Sequence, residues 1–207
     1  MKTAFILPAL LLSLPLPAQL SPSFGVGGGV LQTDDLMANA YHAQAGVQLM
    51  RISDRLTLRG EALVQQGTAN ASPLSCEQAR QVDCVGRTDE QRLIGGGALV
   101  RLDVPGVMRG VRVYLDPAGL GVYHLRTHSR ESAVDCGPPG ENVPVCMPGP
   151  LAEFSRTTNT LSLGFSAGAG VQAELGWMRV FAEFRAHAML ASAGETGSVP
   201  VTFGVSF

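Results

Sequence analysis

One lysine, Lys2, stands in the 207 residues, and charged residues of all kinds make up only 15%. With a net charge of −2 there is no cationic excess, which argues against a broad nucleic-acid-binding surface. Aromatic residues are sparse at 6%. Past the first twenty residues no apolar run approaches the ~20 needed for a membrane-spanning helix. The four cysteines show no CxxC spacing, and no histidine lies between the members of either close pair, so a zinc site is disfavoured. What the chain does have is 25 glycines without a collagen period and 45% hydrophobic residues in short alternating stretches. That combination points to an all-β protein.

The lysine belongs to the N-terminal stretch "MKTAFILPALLLSLPLPAQL", a short positive start, an apolar run and a small residue at Ala18. This reads as a secretory signal over residues 1–18, leaving a domain over 19–207. The run is too short and too rich in proline (Pro8, Pro15, Pro17) for a spanning helix. No cysteine follows Ala18 directly, which argues against a lipid anchor. In an oxidising compartment, Cys76 with Cys84 and Cys136 with Cys146 would each close a disulfide within one polar stretch. Spacing leaves crossed pairing open.

The dominant signal is a period of two. In "TLSLGFSAGAGVQAEL", Leu161, Leu163, Phe165, Ala167, Ala169, Val171, Ala173 and Leu175 share one face. Thr160, Ser162, Ser166, Gln172 and Glu174 share the other, among glycines. Such a strand exceeds the usual ~5–6 residues of a globular sheet and suits a tilted bilayer crossing of about 9–11 residues. Residues 179–190 repeat it, with Val180, Ala182, Phe184, Ala186, Ala188 and Leu190 opposite Arg179, Phe181, Glu183, Arg185, His187 and Met189. Further strands are expected over 22–33, 40–52, 55–67, 91–104, 110–126 and the C-terminal "VPVTFGVSF". Pro117 cannot donate to a ladder, so a bulge is expected there and the faces are not extended past Leu115.

These make eight strands, the even number that an up-and-down barrel requires. Connections near Ser53-Asp54, 105–110 and Gly176 are short, while 34–39, 68–90, 127–158 and 191–198 read as longer loops. The expected fold is therefore an all-β, eight-stranded antiparallel transmembrane barrel with short turns at one end and longer loops at the other. Closure follows from the solvent, because a sheet edge in hydrocarbon leaves amides unpaired at several kcal/mol each. Eight strands enclose only enough space for side chains. Arg59, Glu61, Arg101, Asp103, Arg112, Asp116, Glu174, Arg179, Glu183 and Arg185 are then expected as a buried ionic filling.

With these residues in place, the chain resembles the small bacterial outer-membrane β-barrel family, the OmpA/OmpX-like or "porin family" barrel domain. The resemblance covers about residues 19–207 and is most specific in the last strand, where Val201, Phe203, Val205 and Phe207 share a face. It implies outer-membrane lipid as surroundings after Sec-type export, and recognition of that strand by the barrel assembly machinery, with periplasmic chaperones en route. It implies no cofactor, an unknown extracellular partner and no nucleic acid. Girdle aromatics are few, with Tyr41, Tyr123, Trp177, Phe24 and Phe207 as candidates. No peptidoglycan-binding domain is expected.

Two other functions compete. A rim Ser/His/Glu set of His128, Ser129 and Glu131 could act on a lipid ester, although adjacent His128 and Ser129 point to opposite faces of a strand. A secreted lipocalin-like carrier would invert the barrel, with Leu163 inside and Ser162 outside. The Gly25-Val26-Gly27-Gly28-Gly29 run lacks the lysine and helix of a phosphate loop.

Overall fold

Alternation becomes pairing from Pro22 onward. A computed structural model describes residues 21–33, 36–71, 84–108, 110–136, 146–147, 154–191 and 194–207. The elements are β1 (Pro22–Thr33), β2 (Leu36–Arg51), β3 (Leu56–Ala71), β4 (Cys84–Met108), β5 (Val111–Cys136), β6 (Cys146–Met147), β7 (Phe154–Leu175), β8 (Met178–Ala191) and β9 (Gly194–Ser206). Each long strand pairs antiparallel with its neighbours in the order β1-β2-β3-β4-β5-β7-β8-β9. The ring closes where β1 meets β9, with Phe24 opposite Val205 and Val30 opposite Val199. The result is a closed eight-stranded barrel; β6 pairs only with the end of β5.

At one end the turns are tight. Gly110 (φ 81°) and Gly176 (φ 65°) adopt the left-handed backbone that joins β4 to β5 and β7 to β8. Ser53 Oγ accepts from the Leu56 amide at 3.2 Å to close the β2–β3 turn. At the other end the expected pattern needs correction. Residues 36–39 belong to β2 and residues 194–198 to β9 rather than to loops, because β2 starts at Leu36 opposite Thr33 and Gly194 already pairs with Ala191. Only 72–83 and 137–153 remain long connections.

β4 and β5, with 25 and 26 residues, also outrun their expected limits. At about 3.3 Å per residue they reach well beyond a ~30 Å hydrocarbon layer. The apolar alternation stops near Ile94 and Val122, but the ladder continues through Glu90↔His128 and Thr88↔Arg130. Pairing in water needs no apolar face, so hydrophobic period marks the bilayer crossing rather than the strand end.

The bulge expected at Pro117 lies between Asp116 and Gly119. It resets the alternation, so that Tyr114 and Asp116 face inward before it and Gly119 and Tyr123 after it. Leu163 is 65% exposed on the outer wall and Ser162 only 9% on the inner one, the reverse of a lipocalin-like carrier.

Candidate functional site

Inward-facing side chains fill the lumen in layers. The layer nearer the tight turns is ionic. Arg101 from β4 donates through Nε and Nη2 to the two carboxylate oxygens of Asp116 on β5, both at 2.8 Å. Its Nη2 also reaches Glu183 of β8 at 2.7 Å. Arg185 bridges Asp116 at 2.8 Å and Glu183 at 2.7 Å, and pairs with Glu61 of β3. Tyr114 donates its hydroxyl to Glu183 at 2.9 Å, while its ring lies 3.6 Å beneath the Arg101 guanidinium. Arg59 donates to Ser23 Oγ at 2.6 Å. The side chains of Arg101, Asp116, Glu183 and Arg185 are 8%, 2%, 2% and 4% exposed. Three guanidinium groups thus face three carboxylates in a site closed to bulk water, and bidentate geometry offsets the large desolvation cost of each ion.

The remaining expected interior charges lie elsewhere. Arg112 pairs with Glu174 at 2.8 Å, with Arg179 3.9 Å away, at the turn-side rim where their side chains are 50%, 43% and 43% exposed. Asp103 is half-buried near the same rim. These positions share the inward parity but fall where the barrel opens, so water solvates them.

Above the ionic layer, Tyr123 from β5 meets His187 Nδ1 at 3.0 Å, its ring edge-on to the imidazole. Tyr123 is therefore lumenal and not a girdle residue. Its ring occupies space left by glycines: a Cβ on Gly95 would stand 2.4 Å from it and one on Gly164 2.9 Å. Tyr41 and Trp177 do face outward, with Trp177 stacked on Phe207 at 5.4 Å.

Nearer the long connections the filling turns apolar, through Leu31, Ala38, Ala40, Leu63, Ala69, Leu93 and Met189. Gln65 accepts from Ser198 there, and Gln91 donates to Thr33. The sequence reading missed this apolar layer as a unit. Its signal was present as breaks in the alternation, since Leu63 shares parity with Glu61 and Gln65, and Leu93 with Gln91.

At the rim, His128 faces outward and meets Thr157 Oγ1 at 3.0 Å, while Ser129 has the opposite parity. The Glu131 side chain lies outside the described residues. Adjacent on β5, His128 and Ser129 point to opposite faces of the strand, so the ladder does not aim one side chain at the other. Among the described residues no group of three or more His, Cys, Asp or Glu could hold a metal ion. Residues 1–18 and Cys76 lie outside the described residues, as do the side chains of Cys84, Cys136 and Cys146; the backbone places Cys136 directly opposite Cys146. On β9, Val201 and Phe203 are exposed and Val205 is half-buried; Phe207, just past its end, is exposed.

No family model and no curated protein matches the sequence. Solved structures similar to the chain include Neisserial surface protein A (NspA), at 14% identity over 91% of this chain and 96% of that one, with a TM-score of 0.47. Ail, the attachment invasion locus protein of Yersinia pestis, matches at 13% identity over 91% and 97%, with a TM-score of 0.44. The N-terminal barrel domain of Pseudomonas aeruginosa OprF matches at 12% over 89% and 97%, with a TM-score of 0.31. The fold is that of a small outer-membrane-type β-barrel. That statement rests on the barrel's own features: eight strands closed by β1 and β9, an apolar outer wall and a packed polar centre.

Proposed function

We propose that the chain is a noncatalytic integral protein of the bacterial outer membrane, acting in envelope integrity or surface interaction through its loop-side rim. The observation that supports this most directly is the outer wall. Leu161, Leu163, Phe165, Phe184, Leu190 and Phe203 all project outward from a barrel that buries Arg101, Asp116, Glu183 and Arg185 in its interior. In water that wall would expose far more contiguous apolar surface than soluble monomers carry. In hydrocarbon it needs no cover, and the closed ladder leaves no open sheet edge where β1 meets β9.

The filled lumen favours a role at the surface over passage through the barrel. Export with removal of residues 1–18 delivers the chain to the periplasm, where chaperones hand it to the assembly machinery through the face of Val201, Phe203, Val205 and Phe207. Disulfides Cys76–Cys84 and Cys136–Cys146 staple the two long connections, and an extracellular partner meets them there. The test is fractionation of cells expressing the full chain. The protein is expected in outer membranes, migrating as a compact folded band that shifts on heating. A folded, freely soluble periplasmic protein would overturn the proposal.

A further inference from the structure

Among the described residues, one pair of arginines on the outer wall shows no carboxylate partner. Arg92 on β4 faces outward directly opposite Arg126 on β5, where facing Cβ atoms stand about 4.5–5.5 Å apart and like charges repel. Among the described residues neither Arg92 nor Arg126 enters an ion pair. The next carboxylate on this face, Glu90, lies opposite His128, and Arg130 follows beyond it with its Nε directed at His128. Three arginines thus share the patch with one carboxylate.

The position of the pair matters as much as its charge. Gln66 of β3 continues the same cross-strand row on one side and Asn159 of β7 on the other, both exposed amides able to donate. The adjoining row toward the turns holds Ile94, His124 and Leu161, and the one after it Val122 and Leu163. The arginines therefore stand where the apolar wall ends.

From this juxtaposition the geometry points to a lipid-binding site: Arg92 and Arg126 clamp the headgroup phosphate of an anionic lipid whose chains lie along Ile94, Val122, Leu161 and Leu163. A phosphate between the two guanidinium groups converts their repulsion into paired charge-assisted hydrogen bonds, the geometry at which arginine excels. The site rests on the membrane reading above, since only a bilayer supplies headgroup and chains together.

The full chain would be placed in nanodiscs of phosphatidylcholine with a minority of phosphatidic acid, and retained lipids counted by native mass spectrometry. The wild type is expected to retain phosphatidic acid in excess of its bulk share. That excess should fall roughly fivefold for each arginine removed in R92Q and R126Q, and only in part in R92K/R126K. R112Q, at the opposite rim, should keep it. An embedded wild type without the excess, an R92Q/R126Q protein that keeps it, or an equal loss in R112Q would each overturn the site alone. A wild type that never enters the nanodisc would overturn the membrane reading together with the site.

Discussion

Arg185 on β8 and Asp116 on β5 meet at 2.8 Å across the lumen, past the strand β7 that separates them in the wall. The contact depends on the ladder slip that follows Asp116. Two residues separate Asp116 from Gly119, which strict alternation would place on opposite faces, yet both face inward because the chain bulges at Pro117 and Ala118. A residue that cannot donate a hydrogen bond is thus placed where the wall must bend its register to seat a carboxylate between two arginines.

Removing that carboxylate should therefore be costly. Asp116→Asn keeps the shape but strands Arg101 and Arg185 with reduced compensation, and a loss of about 3–5 kcal/mol is expected. Urea unfolding of the barrel in lipid vesicles, followed by Trp177 fluorescence, measures it. A loss below about 1 kcal/mol would show that Glu183 and Glu61 alone satisfy the two guanidinium groups.

The lumenal tyrosine and its glycines form a second coupled unit. In Gly95→Ala the new methyl would stand 2.4 Å from the Tyr123 ring. Overpacking of this kind costs about 1–3 kcal/mol. In a Tyr123→Ala background most of that cost should vanish, because the ring is what the methyl strikes. A double-mutant cycle checks this, and additive losses would contradict the packing argument.

Much of this barrel was legible before any coordinates, because a closed sheet in lipid forces a strict period of two. The long rows such as Leu161 to Leu175 carry that period openly, and the faces of β7 and β8 follow from it. The strand ends did not follow. Glu90, His128 and Arg130 look like loop residues, since a ladder in water is free to place charge on its outer face. The interior was only partly legible. Inward parity identifies Arg101 and Arg112 alike, but height along the barrel decides that Arg101 is buried among carboxylates and Arg112 is wetted at the rim. Height depends on strand tilt and stagger, which single-strand alternation does not encode. Tyr123 was misplaced for a related reason: it follows the Pro117 bulge, beyond which parity could not be carried.

The orientation of the wall can be checked directly. In a background with the native cysteines replaced by serine, Leu163→Cys should react with a lipid-soluble thiol reagent and Ser162→Cys should not. Leu163→Arg should cost about 2–4 kcal/mol if the residue sits near the bilayer midplane, and less toward the interface. Equal labelling of both positions would contradict the assignment of faces.

The loop staples have a chemical test. Peptide mapping of unreduced protein should join Cys136 to Cys146, whose backbones are direct antiparallel partners, and Cys76 to Cys84. Replacing Cys136 and Cys146 should leave barrel stability nearly unchanged while increasing proteolysis within 137–153. A link from Cys84 to Cys136 would instead tie the two long connections together, an arrangement not excluded by Cys84 lying opposite Val134, two residues short of Cys136.

Conductance offers the sharpest check on the filled lumen. The cleft among Ser23, Gln44, Arg59, Glu61, Arg101 and Arg185 has a volume of about 10 Å³, close to the least that admits one water. A permeating ion would have to pass that ionic layer and then the one packed with Leu31, Leu63 and Leu93, whose buried Gln65, Gln91 and Ser198 sit among apolar side chains. Planar bilayers containing the wild type should therefore show no stepwise current. Leu31→Ala, Leu63→Ala and Leu93→Ala together widen only the apolar layer and should remain silent, because the salt-bridged layer still closes the path. Steps from the wild type would mean that the charged side chains part under voltage, and the filling would then be a gate rather than a plug.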